Sequence, residues 1–460
     1  MMKKTALLKK SLFGAIAAFF TVIAASASYN SYGIPDSAEI RKNLIENWFE
    51  APVDMVRTKD NEIYKNAVNQ SFQVSFQEQD NYLLVLVIPA SQIEVEYQND
   101  QIKESRLEQV YSPGAAGSWI LFRNGQTGQP EKLHWYFNAD SQVYLEFTAA
   151  ANKTFADLIV YNNYVVKHTP VGVPFQRLYT SSFQEIQNWT NKSIPWYKVQ
   201  VIPGQYRELL QTAYTVRKYL PKIQILDKGY YNEDGVLCNR SNDKPYILLN
   251  EDLEPYSAEK AGILQVDSAG FIKWIADGLI FPYTGSYTTA DSLYNPTVEY
   301  NPLGKTGIKN QQYDIAFSLN WTRNLALQAW NVRNRKQVKY EDSGIDVNYN
   351  HFTKVSPYIK DTGYKVQLLK SILYIQAVIE PGYAYFGAIK EYSVTNPEEF
   401  VFNNQVAFFP YFDDNGHFDC LVFEAGQEMT LDGFISKYRN SFVNLVRIKT
   451  SEDFYPLENF

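Results

Sequence analysis

The sequence predicts an α+β protein, with a β-rich N-terminal domain, sandwich or barrel-like, followed by an α+β domain. Three observations carry this. Between Phe72 and Val166, short alternating or apolar runs are separated by turn residues such as Asn124-Gly125 and Asn138-Ala139-Asp140. Further on, Phe271, Trp274, Ile275 and Leu279 recur at helical spacing behind the cap residues Asp267 and Ser268. Finally, Val406–Phe412 and His417–Glu424 read as two strands joined by Asp413-Asp414-Asn415-Gly416, a tight hairpin signal.

In chain order, residues 1–27 read as a secretory signal. Lys3, Lys4, Lys9 and Lys10 precede an apolar run from Leu12 to Ala25, and Ala25-Ser26-Ala27 fits a cleavage site. The run is short for a stable transmembrane span and no other stretch approaches one, so no integral span is expected after cleavage. Residues 28–58 hold a helical segment with Ile40, Leu44, Ile45 and Trp48 on one stripe. The β-rich domain is expected over 59–180, with strands at Phe72–Phe76, Tyr82–Ile88, Ser118–Phe122, Leu133–Phe137, Val143–Phe147 and Leu158–Val166. A helical linker follows at 181–225, its second helix ended by Pro221. The rest, 226–460, opens with the turn cluster Gly229–Gly235 and forms the α+β domain.

Composition narrows the partners. The net charge is −7, and loss of the signal's four lysines takes it to −11. An acidic exported chain disfavours nucleic acid and anionic lipid. With 45% hydrophobic residues the chain can bury substantial cores. Two cysteines, Cys238 and Cys420, leave a disulfide open in an oxidising compartment, and exclude a multi-cysteine framework. The 35 tyrosines and 28 phenylalanines could stack on sugars, although AT-rich coding accounts for a chain rich in Tyr, Phe, Asn, Ile and Lys.

Several chemistries fail on inspection. Asp346-Val347-Asn348-Tyr349-Asn350 begins like a calcium loop, but His351 stands where glycine is required and Pro357 where glutamate is required. His134, His168, His351 and His417 are scattered, with no paired zinc-binding histidines. There is no phosphate-binding glycine loop and no Gly-x-Ser-x-Gly elbow. No metal and no cofactor is expected.

The stretch Val266-Asp267-Ser268-Ala269-Gly270-Phe271 holds the leading site residue. Ser268 stands at a helix N-terminus, where unpaired N–H groups and the dipole favour negative charge. A cysteine there becomes a nucleophile, whereas a serine hydroxyl is too weak an acid and needs an aligned general base. A simple helix cap is the alternative. Asp-Ser-Ala-Gly-Phe resembles the Asp-Cys-Ser-Gly-Phe signature of the NlpC-type, papain-like cell-wall endopeptidases, which cleave peptidoglycan stem peptides. Gly416-His417-Phe418-Asp419-Cys420-Leu421-Val422 resembles the strand that supplies their histidine. The resemblance implies a papain-like α+β domain with Ser268 in the nucleophile position, His417 as base, and Gln427 or Glu428 as its orienter. Its departures are the serine and a gap of 149 positions, which implies an insertion or lid at about 283–400. Strand alternation turns Cys420 away from the face His417 uses, so Cys420 does not replace the nucleophile.

Asn320, Arg323, Asn324 and Gln328 share a face of a helix beginning near Phe317. Asn320, Arg323 and Asn324, with Asp267 and Trp274, are the candidate substrate-binding residues; a solvated helix face is the alternative. Three readings follow. The first is an exported pseudoenzyme of this fold that binds peptidoglycan peptides or an envelope protein. The second is an active periplasmic hydrolase using Ser268 and His417. The third is a β-rich exported protein without peptidase ancestry. Serine in a site built for a thiolate favours the first.

Overall fold

Phe72 and Val74, then Leu83, Val85 and Val87, then Trp119 and Leu121 put their side chains on one side of successive strands, and all are buried. The computed structural model describes residues 33–99, 102–298, 315–353, 357–393 and 400–458. The signal expected at 1–27 lies outside these residues, as do parts of the expected insertion. The chain divides into two compact units between Trp196 and Tyr197.

The first unit is an antiparallel sheet. Its strands are β1 (Glu62–Lys65), β2 (Ser71–Gln79), β3 (Tyr82–Pro89), β6 (Trp119–Asn124), β7 (Pro130–Tyr136), β8 (Val143–Ala150), β9 (Lys153–Val160) and β10 (Asn163–Pro170), neighbours in that order. Two more strands, β4 (Ser91–Asn99) and β5 (Ile102–Val110), form a separate hairpin. Short helices cover one face: α1 (Ala38–Lys42), α2 (Val53–Val56) and α3 (Phe183–Thr190), the last with a Ser182–Glu185 capping box. Arg41 ties this layer together. Fully buried, it donates to the carbonyls of Leu178, Tyr179 and Ser181 and lies over the Trp119 and Trp135 rings. Burial pulls its pKa down to about 10.

The chain is therefore α+β with a β-rich N-terminal part, as its residues imply. Two details differ. The large sheet is open, since β1 and β10 pair with no third strand among the described residues, and its second layer is helical. The region expected as a linker at 181–225 is divided: α3 belongs to the first unit, whereas α4 (Arg207–Tyr219) belongs to the second.

In the second unit, small two- and three-stranded pieces come first: β11 (Ile223–Ile225), β12 (Gly229–Tyr231), β13 (Leu237–Asn239), β14 (Lys244–Pro245), β15 (Ile247–Leu249), β16 (Pro255–Ser257) and β17 (Leu264–Val266). Helices α5 (Ser268–Thr284), α6 (Phe317–Asn334), α7 (Tyr340–Ser343), α8 (Leu369–Ile379) and α9 (Leu431–Lys437) follow. They surround an antiparallel sheet ordered β18 (Tyr358–Ile359), β19 (Gly363–Lys365), β24 (Phe442–Lys449), β20 (Tyr383–Tyr392), β21 (Phe400–Phe412), β22 (Phe418–Glu424) and β23 (Gln427–Thr430). Ala384, Phe386, Ala407, Phe409, Val446 and Ile448 form one core with α5 and α6. On the opposite face Phe412 packs on Tyr374 of α8, and Phe408 on Phe434 of α9.

This topology corrects the expectation of an insertion at 283–400. That stretch supplies β20, hydrogen-bonded between β24 and β21, together with α6 and α8. Removing it would open the middle of the sheet.

Candidate functional site

The first turn of α5 is built as the sequence implies. β17 pairs in parallel with β11 and delivers Asp267 in an extended conformation, where its carboxylate accepts from the Gly270 N–H at 2.8 Å. Asp267 is also ion-paired with Arg240, which lies over the Phe317 ring. Asp267 thus caps the helix and is held by a cation. Gly270 sits against the Gly229 carbonyl, where any Cβ would collide. Ser268, half-buried, is the first residue of the helix.

The structure does not bring Ser268 and His417 together, and the reason lies in how α5 and α6 cross the sheet. The Trp321 indole N–H donates to the Ala269 carbonyl, so the start of α5 lies beside the start of α6. Leu319, also early in α6, packs on Ala388 and Phe402. At the other end of α6, Arg333 donates to the carbonyls of Lys449 and Thr450. Both helix N-termini therefore lie over the end of the sheet where Ala388 pairs with Gln405 and Asn444. His417 is beyond Phe418, whose partner is Phe412, at the opposite end. Gln405 to Phe412 is seven residues, about 23 Å of strand.

His417 has its side chain 57% exposed, with Nδ1 3.6 Å from an Asp413 carboxylate oxygen, and its N–H closes the hairpin turn on Asp413. It is a turn residue, not a base for Ser268. Gln427 and Glu428 are equally remote from His417. Gln427 pairs with Glu424 at the far end of β22, and Glu428 forms a two-pronged ion pair with Arg217 of α4.

The other assigned binding residues hold the fold together. Trp274 is buried and donates to the Leu457 carbonyl. Asn320 accepts from the N–H and hydroxyl of Thr297, and Asn324 donates to the carbonyls of Leu293 and Asn295. Arg323 reaches Asp346 and Asp361, while the hydroxyls of Tyr340 and Tyr358 donate to Asp346. All three α6 residues are buried, so the face is neither a substrate wall nor a solvated surface. Hydrogen-bonding capacity at i, i+3, i+4 spacing serves here to dock a loop-rich segment, which periodicity alone does not distinguish from binding.

Two residues escaped sequence reasoning. Gln405 and Asn444 flank Ala388 on the α5/α6 side of the sheet, fully buried, and their side-chain amides have no hydrogen-bond partner; nor does the Ser318 hydroxyl. An amide is no general base. Polar residues at apolar positions of a strand were the available signal. Cys238 and Cys420 are both buried and unpaired, and burial pushes the Cys420 thiol well up, which settles the disulfide left open above. Among the described residues no His, Cys, Asp or Glu group could hold a metal ion.

Open space lies elsewhere. A cavity of about 560 Å³ runs along α4 to the β21–β22 turn, lined by Arg207, Leu210, Tyr214, Lys218, Phe412 and Asp414 among others. A second, about 480 Å³, continues past Tyr214 to Arg217, Tyr411, Asp419, Leu421 and Glu428.

A family model described as a domain of unknown function, DUF8515, matches residues 30–198, which takes in the described residues of the first unit. No curated protein and no solved structure matches the chain. No described helix is long and apolar enough to cross a membrane.

Proposed function

We propose that this chain is an exported envelope protein whose second unit is a degenerate, non-catalytic relative of the papain-like cell-wall peptidases and binds peptidoglycan peptides. One observation supports the non-catalytic part above all: about 23 Å of strand lies between the sheet rank beside Ser268 and the turn holding His417. With His417 at the opposite end of the sheet, the Ser268 hydroxyl lacks the base that the motif calls for and stays protonated. Binding rests on the open cavities beside α4 and on the resemblance of the α5 motif. The test is incubation of the purified chain with insoluble peptidoglycan. The expected result is retention on the pellet with no release of soluble peptide; retention that fails, or fragments that appear, overturns the reading.

A further inference from the structure

The two cavities along α4 share Tyr214, whose side chain stands between them and is 46% exposed. Together they make a continuous groove of the size that takes a short peptide. Its walls carry opposite charge. The α4 wall presents Arg207, Arg217 and Lys218; the strand wall presents Asp414, Asp419 and Glu428. Some of these charges are spent: Glu428 is taken by Arg217, Arg207 lies 3.8 Å from Glu452, and Asp419 accepts the Tyr411 hydroxyl. Lys218 and Asp414 both line the first cavity, form no ion pair among the described residues, and both are exposed. Tyr214 and Tyr411 add ring surface, and Leu210 and Leu421 an apolar floor.

Resting on the peptide-binding reading above, we propose that this groove, and not the first turn of α5, is the ligand site. Its occupant is a short extended peptide carrying both an ammonium and a carboxylate. The carboxylate lies against Lys218, the ammonium against Asp414, and the chain packs over Tyr214. Unpaired charges of both signs in one groove reward a ligand of both signs and disfavour one of a single sign.

The experiment is calorimetric titration of the full chain with a tetrapeptide containing one glutamate and one lysine, and with tetra-alanine blocked at both ends. Tyr214→Ala and Lys218→Glu are exposed substitutions, expected to unfold at the wild-type temperature. The charged peptide is expected to bind, with each substitution weakening it about tenfold and blocked tetra-alanine binding at least as weakly. Equal binding of the two peptides, or charged-peptide binding unchanged in both variants, overturns the groove. The two readings fail separately. Undiminished retention of Tyr214→Ala on peptidoglycan leaves the envelope reading standing without the groove. Groove-dependent binding of the tetrapeptide by a chain that peptidoglycan does not retain does the reverse.

Discussion

Trp321 and Ala269 are joined by a hydrogen bond of 3.0 Å between an indole N–H and a helix-end carbonyl, and this bond fixes which end of the sheet Ser268 faces. The buried Trp321 indole N–H of α6 finds its acceptor in the first turn of α5, so both helices begin over the Gln405–Ala388–Asn444 rank. Any base for Ser268 would have to stand there.

Ser268→Cys should therefore yield a reactive thiol without a peptidase. The helix N-terminus lowers the thiol's pKa below its ordinary value of about 8.5, so alkylation by iodoacetamide should be faster near neutral pH than for a free cysteine. Release of peptide from peptidoglycan should stay at background. Hydrolysis by this single variant would mean that a base approaches from elsewhere.

Much of this was legible in the sequence, and the failures share a cause. The cap at Asp267, the close-approach glycine at 270 and the β21–β22 hairpin are local features, set by propensity over a few residues. Which end of a strand meets a helix is not local. His417 and Gln405 belong to the same hairpin, and only the docking of α5 and α6 shows that Gln405's end is the relevant one. Likewise Asn320, Arg323 and Asn324 were recognisable as a polar face, but their hydrogen-bond partners lie 23 or more positions away, at Asn295, Thr297, Asp346 and Asp361 among others.

Gly270→Ala should destabilise the second unit by about 3 kcal/mol. A methyl there meets the Gly229 carbonyl and the Tyr230 backbone, neither of which is the end of a flexible side chain. Denaturant unfolding should show a lower midpoint at unchanged slope. A midpoint equal to wild type would mean that β12 and α5 do not pack this closely.

Gln405→Met should be neutral or stabilising by about 1 kcal/mol, because it replaces a buried amide lacking partners with an apolar chain of similar length. Thermal unfolding measures this directly. A clear loss of stability would show that the amide is satisfied within the fold.

His351 makes stability depend on pH. It is buried beside Gln376, and burial lowers its pKa from 6.5 to about 3. Above pH 6.5 the ring is neutral folded and unfolded, and nothing is lost. Between pH 6.5 and about 3 only the unfolded chain takes up the proton, so stability falls with pH across that window. His351→Gln should flatten this part of the unfolding-temperature profile. A profile parallel to wild type would mean that His351 is protonated in the folded chain.

The most direct single measurement is mass-spectrometric detection of soluble peptide after incubating the chain, and its Ser268→Ala variant, with purified peptidoglycan. The expected result is that both proteins sediment with the polymer and neither releases fragments above a protein-free control. Fragments produced by wild type and lost in Ser268→Ala would contradict the non-catalytic account and restore Ser268 as a working nucleophile.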